Sequence, residues 1–196
     1  MRTLPFSKLA LRALLATALA LPAATASAQF AGPYAPGSAT ISTSHGGSID
    51  TSGAPASITL KGGSDNSFQA SDQTYAFTLP QSGTLSFDWN YLQNDCCGAS
   101  YDPFGYTVNG VFDQLTAGSA DSQKGTVSLS LNAGDIFAFD QRSVDSVSGF
   151  ATTTISNFSG PMGAVPEPAT WALMLLGFAG IGVTMRRRNP GLAQVA

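Results

Sequence analysis

Apolar and polar positions alternate from Ser57 onward, most clearly between Thr84 and Tyr91. Leu85, Phe87, Trp89 and Tyr91 take one parity, and Thr84, Ser86, Asp88 and Asn90 the other. A period of two sends successive side chains to opposite faces of a strand, so this stretch predicts a strand with one buried face. Tyr75, Phe77 and Leu79 repeat the pattern just upstream, and Ser82-Gly83 supplies a turn that predicts a hairpin between the two segments. Asn109-Gly110 lies between Tyr106-Thr107-Val108 and Val111-Phe112, and both residues tolerate the positive φ that a two-residue type I′ connection demands. Val127, Leu129 and Leu131 alternate again, Asn132-Ala133-Gly134 turns, Ile136 to Phe139 continues as a strand, and a last strand runs near Ala151 to Phe158. With Ser57 to Leu60 this makes about eight short strands over 57–160. The expected fold is all-β: an antiparallel sandwich of jelly-roll type. Its core is expected to contain Phe77, Phe87, Trp89, Phe104, Phe112, Leu129, Phe137 and Phe139.

Both ends of the chain depart from this pattern. Arg2, Lys8 and Arg12 precede an apolar run from Ala13 to Leu21, and Ala26, Ser27 and Ala28 give the small-x-small pattern of a signal-peptide cleavage site. Residues 1–28 therefore read as a secretory signal peptide, since about nine apolar residues are too few to span a bilayer. Residues 29–56, rich in Gly, Pro, Ser and Ala, read as a flexible leader. The C-terminal part, 161–196, carries Val165-Pro166-Glu167-Pro168, then an uncharged run over 169–185, then Arg186, Arg187 and Arg188. At 1.5 Å per residue that run reaches about 26 Å, so a transmembrane helix is expected there, with the arginines as a cytoplasmic stop.

Charge narrows the function. Between Gln29 and Ala164 only Lys61, Lys124 and Arg142 stand against eleven aspartates, which leaves this segment strongly acidic although the whole chain is only at −3. Such a surface repels phosphate, and nucleic-acid binding is excluded. His45 is the sole histidine, and it lies in the leader; Glu167 is the sole glutamate, and it lies beside the apolar tail. Triads and zinc sites thus lack their usual parts, and binding rather than catalysis is expected, with no cofactor.

The segment VPEPATWALMLLGFAGIGVTMRRR resembles the PEP-CTERM sorting domain along its whole length, from Pro-Glu-Pro through Trp171 and the Gly-rich middle to the arginines. That resemblance implies recognition by an exosortase after export, in a Gram-negative bacterium that secretes exopolysaccharide. A second resemblance rests on TLSFDWNY, YDPFGYTVNGVFDQLT, GTVSLSLNAGDIFAFD and ATTTISNF, which look like a β-sandwich module of exported adhesin-like proteins. It carries no catalytic residues over to this chain. The expectation is an envelope or matrix protein with a structural or adhesive role, its partners the exosortase and export machinery, the inner membrane and extracellular polysaccharide. The other expectation is a lectin-like module that binds a defined glycan, with or without calcium, using exposed members of Tyr91, Tyr101, Phe104 and Tyr106. Ice binding is a third reading, although Thr152-Thr153-Thr154 is a single patch rather than a repeated Thr ladder.

Two local features carry possible chemistry. Cys96 and Cys97 are neighbours, with Cα atoms about 3.8 Å apart, below the usual disulfide range; the choices are a vicinal disulfide, which we favour, a bridge to another molecule, or two thiols. Asp88, Asp95 and Asp102 flank the same region and are calcium candidates, since Ca²⁺ takes oxygen ligands, but no spacing matches an EF-hand. Asp and Asn also favour turns through bonds to nearby backbone, and that accounts for Asp102-Pro103 without a metal.

Overall fold

The computed structural model describes residues 29–95, 97–162 and 168–188; of 168–170 and 186–188 it describes the backbone alone. Ten strands form two five-stranded antiparallel sheets. The strands are β1 (Thr40–Ser42), β2 (Ser48–Asp50), β3 (Ser57–Lys61), β4 (Ser71–Thr78), β5 (Gly83–Gln93), β6 (Phe104–Val108), β7 (Val111–Gln114), β8 (Ser122–Leu131), β9 (Ile136–Ser143) and β10 (Ala151–Ser159). The first sheet has the order β1-β4-β9-β6-β7 and the second β2-β3-β10-β5-β8.

The alternation in the sequence becomes the core directly. On β5, Leu85, Phe87, Trp89, Tyr91 and Gln93 face inward. On β4 and β9 the inward set includes Tyr75, Phe77, Phe137 and Phe139. The two sheets meet through aromatic contacts: Phe87 lies edge-on to Phe139 at 4.9 Å, and Phe77 lies edge-on to Phe158 at 5.6 Å. Such pairs add about 0.5–1.5 kcal/mol beyond their area burial.

Asn109 and Gly110 adopt φ of 52° and 85° between the paired Val108 and Val111, the expected hairpin. The hairpin expected at Ser82-Gly83 is corrected. β4 pairs with β1 and β9, whereas β5 pairs with β8 and β10, so the chain there crosses from one sheet to the other. Tyr75, Phe77, Leu85 and Phe87 gain more by facing one another across the core than the two strands would gain by pairing edge to edge.

Two further corrections concern the leader and the core. Residues 29–56 supply a 3₁₀ turn (Gly32–Tyr34), β1 and β2. Phe30 stacks on Phe158 at 4.8 Å, and Tyr34 meets Phe77 at 4.8 Å. Two large rings able to fill the end of the core hold a segment that its Gly and Pro content would otherwise leave loose. The strand count thereby rises from about eight to ten. Phe112 and Leu129, both expected in the core, are half-buried. Phe112 pairs with Thr107 and takes the outer side of its sheet.

The second unit is described by itself: a helix, α1 (Pro168–Arg188). Among the described residues no helix is long and apolar enough to cross a membrane. The transmembrane span expected over 169–185 is thus not shown among the described residues, which give side chains there only for 171–185.

Candidate functional site

The outer face of the second sheet is built from the polar positions of the alternating strands. Asp88 and Asn90 project from β5, Lys124 and Thr126 from the adjacent β8, and Ser156 from β10 on the other side. With Trp89 and Gly125 they line a shallow cleft of about 460 Å³. Gly125 lies opposite Trp89 in the ladder, and a Cβ there would come within 2.9 Å of Trp89 Nε1. Glycine at this one position leaves room for the core-facing indole against β8.

Asp88 is the fixed point of the cleft. Thr126 Oγ1 donates to one carboxylate oxygen at 2.5 Å, and Asn157 Nδ2 donates to the other at 2.7 Å. Asn157 reaches it because β10 is irregular between Ser156 and Ser159 and Asn157 takes a φ of 49°. These donors, Asn157 foremost, hold the Asp88 carboxyl below its ordinary range, because they stabilise the charged form. The cleft therefore offers an ionised carboxylate, an amide, an ammonium and hydroxyls. Such a set can exchange hydrogen bonds with a polyhydroxylated ligand.

At one end of the sandwich lies a buried polar network. Gln93 Nε2 donates to Asp102 Oδ2 at 3.0 Å, Gln141 Nε2 to the Asp102 carbonyl at 3.1 Å, and Thr153 Oγ1 to Gln141 Oε1 at 2.7 Å. The Tyr91 hydroxyl donates to Gln93 Oε1. Asp102 is 1 % exposed, and among the described residues its Oδ1 has no hydrogen-bond partner. Burial raises its pKa above the ordinary value, with Asp95 and Asp145 adding to the effect. On the outer face of the first sheet, Arg142 Nε donates to Asp140 Oδ2 at 2.8 Å, and its guanidinium sits 3.7 Å above the Phe112 ring.

The residues singled out in the sequence separate here. Asp88 lines the cleft, Asp102 is buried in the network, and Asp95 lies in the loop after β5. Among the described residues no group of three or more His, Cys, Asp or Glu side chains could hold a metal ion. Tyr91, Phe104 and Tyr106 are core residues and cannot serve as a sugar platform; Tyr101 is exposed. Ser67 Oγ and Asp65 Oδ2 both contact His45 Nδ1, at 3.0 and 3.2 Å. A catalytic relay needs the acid and the nucleophile on opposite ring nitrogens, so this cluster is not a triad. Cys97 is disulfide-bonded; Cys96, Ala26, Ala28, Val165, Pro166 and Glu167 lie outside the described residues. Pro168 opens α1, and Arg186, Arg187 and Arg188 close it.

An Ala-, Leu- and Gly-rich helix that starts at a proline and ends in three arginines has the order of a sorting tail. Residues 164–188 match the PEP-CTERM protein-sorting motif. No curated protein matches the chain. Among solved structures, partial likenesses include a family 35 carbohydrate binding module from Clostridium thermocellum. It is 15 % identical, with 60 % of this chain and 92 % of that one covered, and the TM-score is 0.33. TmCBM61, solved in complex with β-1,4-galactotriose, is 11 % identical over 67 % of this chain and 92 % of its own, with a TM-score of 0.39. The module CBM6cm-2 from Cellvibrio mixtus lichenase 5A, in complex with cellotriose, is 10 % identical over 63 % and 91 %, with a TM-score of 0.33.

Three features of the site escaped the sequence. Lys124, Thr126 and Ser156 join Asp88 only through the β5–β8 and β5–β10 pairings. Asn157 acts through a local irregularity that no periodicity marks. Arg142 was visible only as one of three basic residues in an acidic segment.

Proposed function

We propose that the chain is an exported protein of a Gram-negative cell envelope, brought there through its PEP-CTERM tail and an exosortase. On this reading its β-sandwich binds extracellular glycan at the Asp88 cleft and serves a structural or adhesive role in the surface matrix. One observation carries the binding half: the cleft presents several fixed hydrogen-bonding groups on an open sheet face, with Asp88 locked in place by Thr126 and Asn157. Sugar hydroxyls both donate and accept, and a carboxylate, an amide and hydroxyls in one shallow surface suit that chemistry. A wide, open cleft also suits an internal stretch of a polymer better than a small molecule that must be enclosed. The sorting motif carries the other half, since it supports delivery to the envelope where such polymers lie.

Probing a glycan array with the full chain, with and without calcium, tests the binding half. A saccharide-dependent signal that falls at least about tenfold in Asp88→Ala, with melting behaviour retained, is expected. An array with no saccharide-dependent signal, or a signal indifferent to Asp88→Ala, would overturn it. Mass mapping of the mature C-terminus in the native host tests the delivery half: cleavage near Pro166-Glu167-Pro168 is expected, and an intact terminus containing Arg188 would refute processing.

A further inference from the structure

The four edges of the two sheets are unequal. β1 and β2 have three residues each and β7 has four, whereas β8 runs for ten. An edge strand exposes unpaired N–H and C=O groups, and proteins ordinarily keep such edges short, charged or covered. β1, β2 and β7 follow that rule by length, and β2 and β7 also carry Asp50 and Asp113. β8 breaks it: Ser122–Leu131 contains one charge, Lys124, and no proline.

The ladder decides which groups of β8 are free. Gln93 N donates to Asp121 O at 2.7 Å, and the register that places Leu92 opposite Ser122 places Gln93 opposite Asp121. Hydrogen-bonded and non-bonded pairs alternate along an antiparallel ladder. The odd-numbered residues Gln123 to Leu131 therefore bond to β5. Ser122, Lys124, Thr126, Ser128 and Ser130 turn their N–H and C=O outward, and all five residues are exposed. Among the described residues no backbone bond uses these outward groups.

We propose that β8 pairs antiparallel with β8 of a second copy of this chain, fusing two five-stranded sheets into one continuous sheet. The occupant follows from self-complementarity. A two-fold axis at Thr126 is the register that engages all five outward residues: Ser122 faces Ser130 of the other copy, Lys124 faces Ser128, and Thr126 faces Thr126. Hydroxyl pairs of this kind are favourable cross-strand neighbours, and the single charge of the strand never opposes itself. Moving the axis to Lys124 would set two ammoniums face to face and leave fewer residues engaged. This inference rests on the backbone edge of β8, although Lys124 and Thr126 of the same strand also line the cleft.

Sedimentation of the full chain in mild detergent over a concentration series tests it, with two variants at the exposed Ser128. In the proposed register Ser128→Asp places a carboxylate opposite Lys124 of the other copy, and Ser128→Lys places a second ammonium there. A reversible dimer is expected, tightened by Ser128→Asp and weakened about fivefold or more by Ser128→Lys, because each change occurs twice across the axis. Nonspecific repulsion between acidic chains would give the opposite order, since the added lysine would reduce the net charge of −3. Association through the apolar tail would leave both variants unchanged. A monomer at every concentration, the reversed order, or indifference to both substitutions would each overturn the proposal. Circular dichroism melts of the two variants confirm that the fold is retained in each comparison.

Discussion

Replacing Asp102 with Asn isolates the cost of one buried charge. Asp102 Oδ2 accepts from Gln93, while Oδ1 is sealed from water with no hydrogen-bond partner among the described residues. Its folded-state pKa is raised, chiefly by burial, so the native state binds this proton more tightly than the unfolded chain does. The stabilising contribution is fully present below the unfolded value of about 3.9 and is lost as pH rises through the raised folded value. At neutral pH the parent protein holds an ionised or poorly satisfied carboxylate in the network. An Asn side chain can keep the Gln93 bond through its carbonyl and turn its NH₂ toward the Ser143 hydroxyl, which already interacts with this carboxyl. A buried unsatisfied polar group costs about 1–3 kcal/mol, so Asp102→Asn is expected to stabilise by about 1–2 kcal/mol at pH 7, a rise of roughly 3–8 °C in Tm. Thermal melts of both proteins by circular dichroism from pH 4 to pH 8 measure this directly. The gain must shrink toward acid, where the parent carboxyl is protonated. Asp140, whose pKa is also raised by burial, titrates in both proteins and cancels from the difference. A variant less stable than its parent at pH 7, or a gap that widens on acidification, would refute the reasoning.

Phe30→Ala tests whether the N-terminal segment belongs to the sandwich. Loss of a fully buried ring in contact with Tyr75, Phe139 and Phe158 should cost about 3–5 kcal/mol in urea unfolding, and a change under about 1 kcal/mol would return 29–56 to the status of a loose leader. The tyrosines should separate by titration. Burial pushes Tyr34 and Tyr75 up to about 12, so neither should ionise in the native state as pH passes 10, and stability should fall between the unfolded value of about 10 and about 12. Ultraviolet difference spectra that show every phenol ionising near pH 10 without unfolding would contradict the burial of these rings.

Strand identity was legible wherever one parity was uniformly apolar, as from Leu85 to Tyr91, and turn chemistry located the Asn109-Gly110 hairpin. Sheet assignment was not legible. A Ser-Gly turn between two amphipathic segments looks the same whether the chain doubles back within a sheet or crosses the core, and only the pairing of β5 with β8 and β10 distinguishes the two. Phe112 shows the same limit at one residue. Its aromatic character suggested the core, but the register with Thr107 puts it on the outer side, where Arg142 covers it. Gly105 makes room for that arrangement, because a Cβ there would meet the Phe112 ring at 2.7 Å. Of the cleft, Asp88 and Asn90 were visible as polar members of an alternating strand. Their partners come from distant strands, and sequence spacing holds no record of that proximity.

The composition that hid the cleft also explains its physical character. The outer face of the second sheet is paved with Ser and Thr: Ser86 and Ser128 share one pairing, and Thr59 and Thr154 another, the latter joined hydroxyl to hydroxyl at 3.0 Å. Short side chains lose little rotamer entropy when a ligand settles on them, whereas a face of Lys and Glu would lose about 1.5–2 kcal/mol per immobilised side chain. Each hydrogen bond to a sugar nevertheless replaces one to water, for a net of about 0.5–1.5 kcal/mol, so a shallow cleft with few such contacts holds a single chain segment weakly. Retention of a polymer then requires several clefts acting together, through dense display at the envelope or through copies joined edge to edge, and linked weak sites can exceed the affinity of either by about 10²–10⁴. A lone copy in dilute solution should accordingly bind short oligosaccharides poorly, while the same protein crowded on a bead should retain the long polymer. Equal affinity in the two formats would show that the cleft grips its ligand by itself.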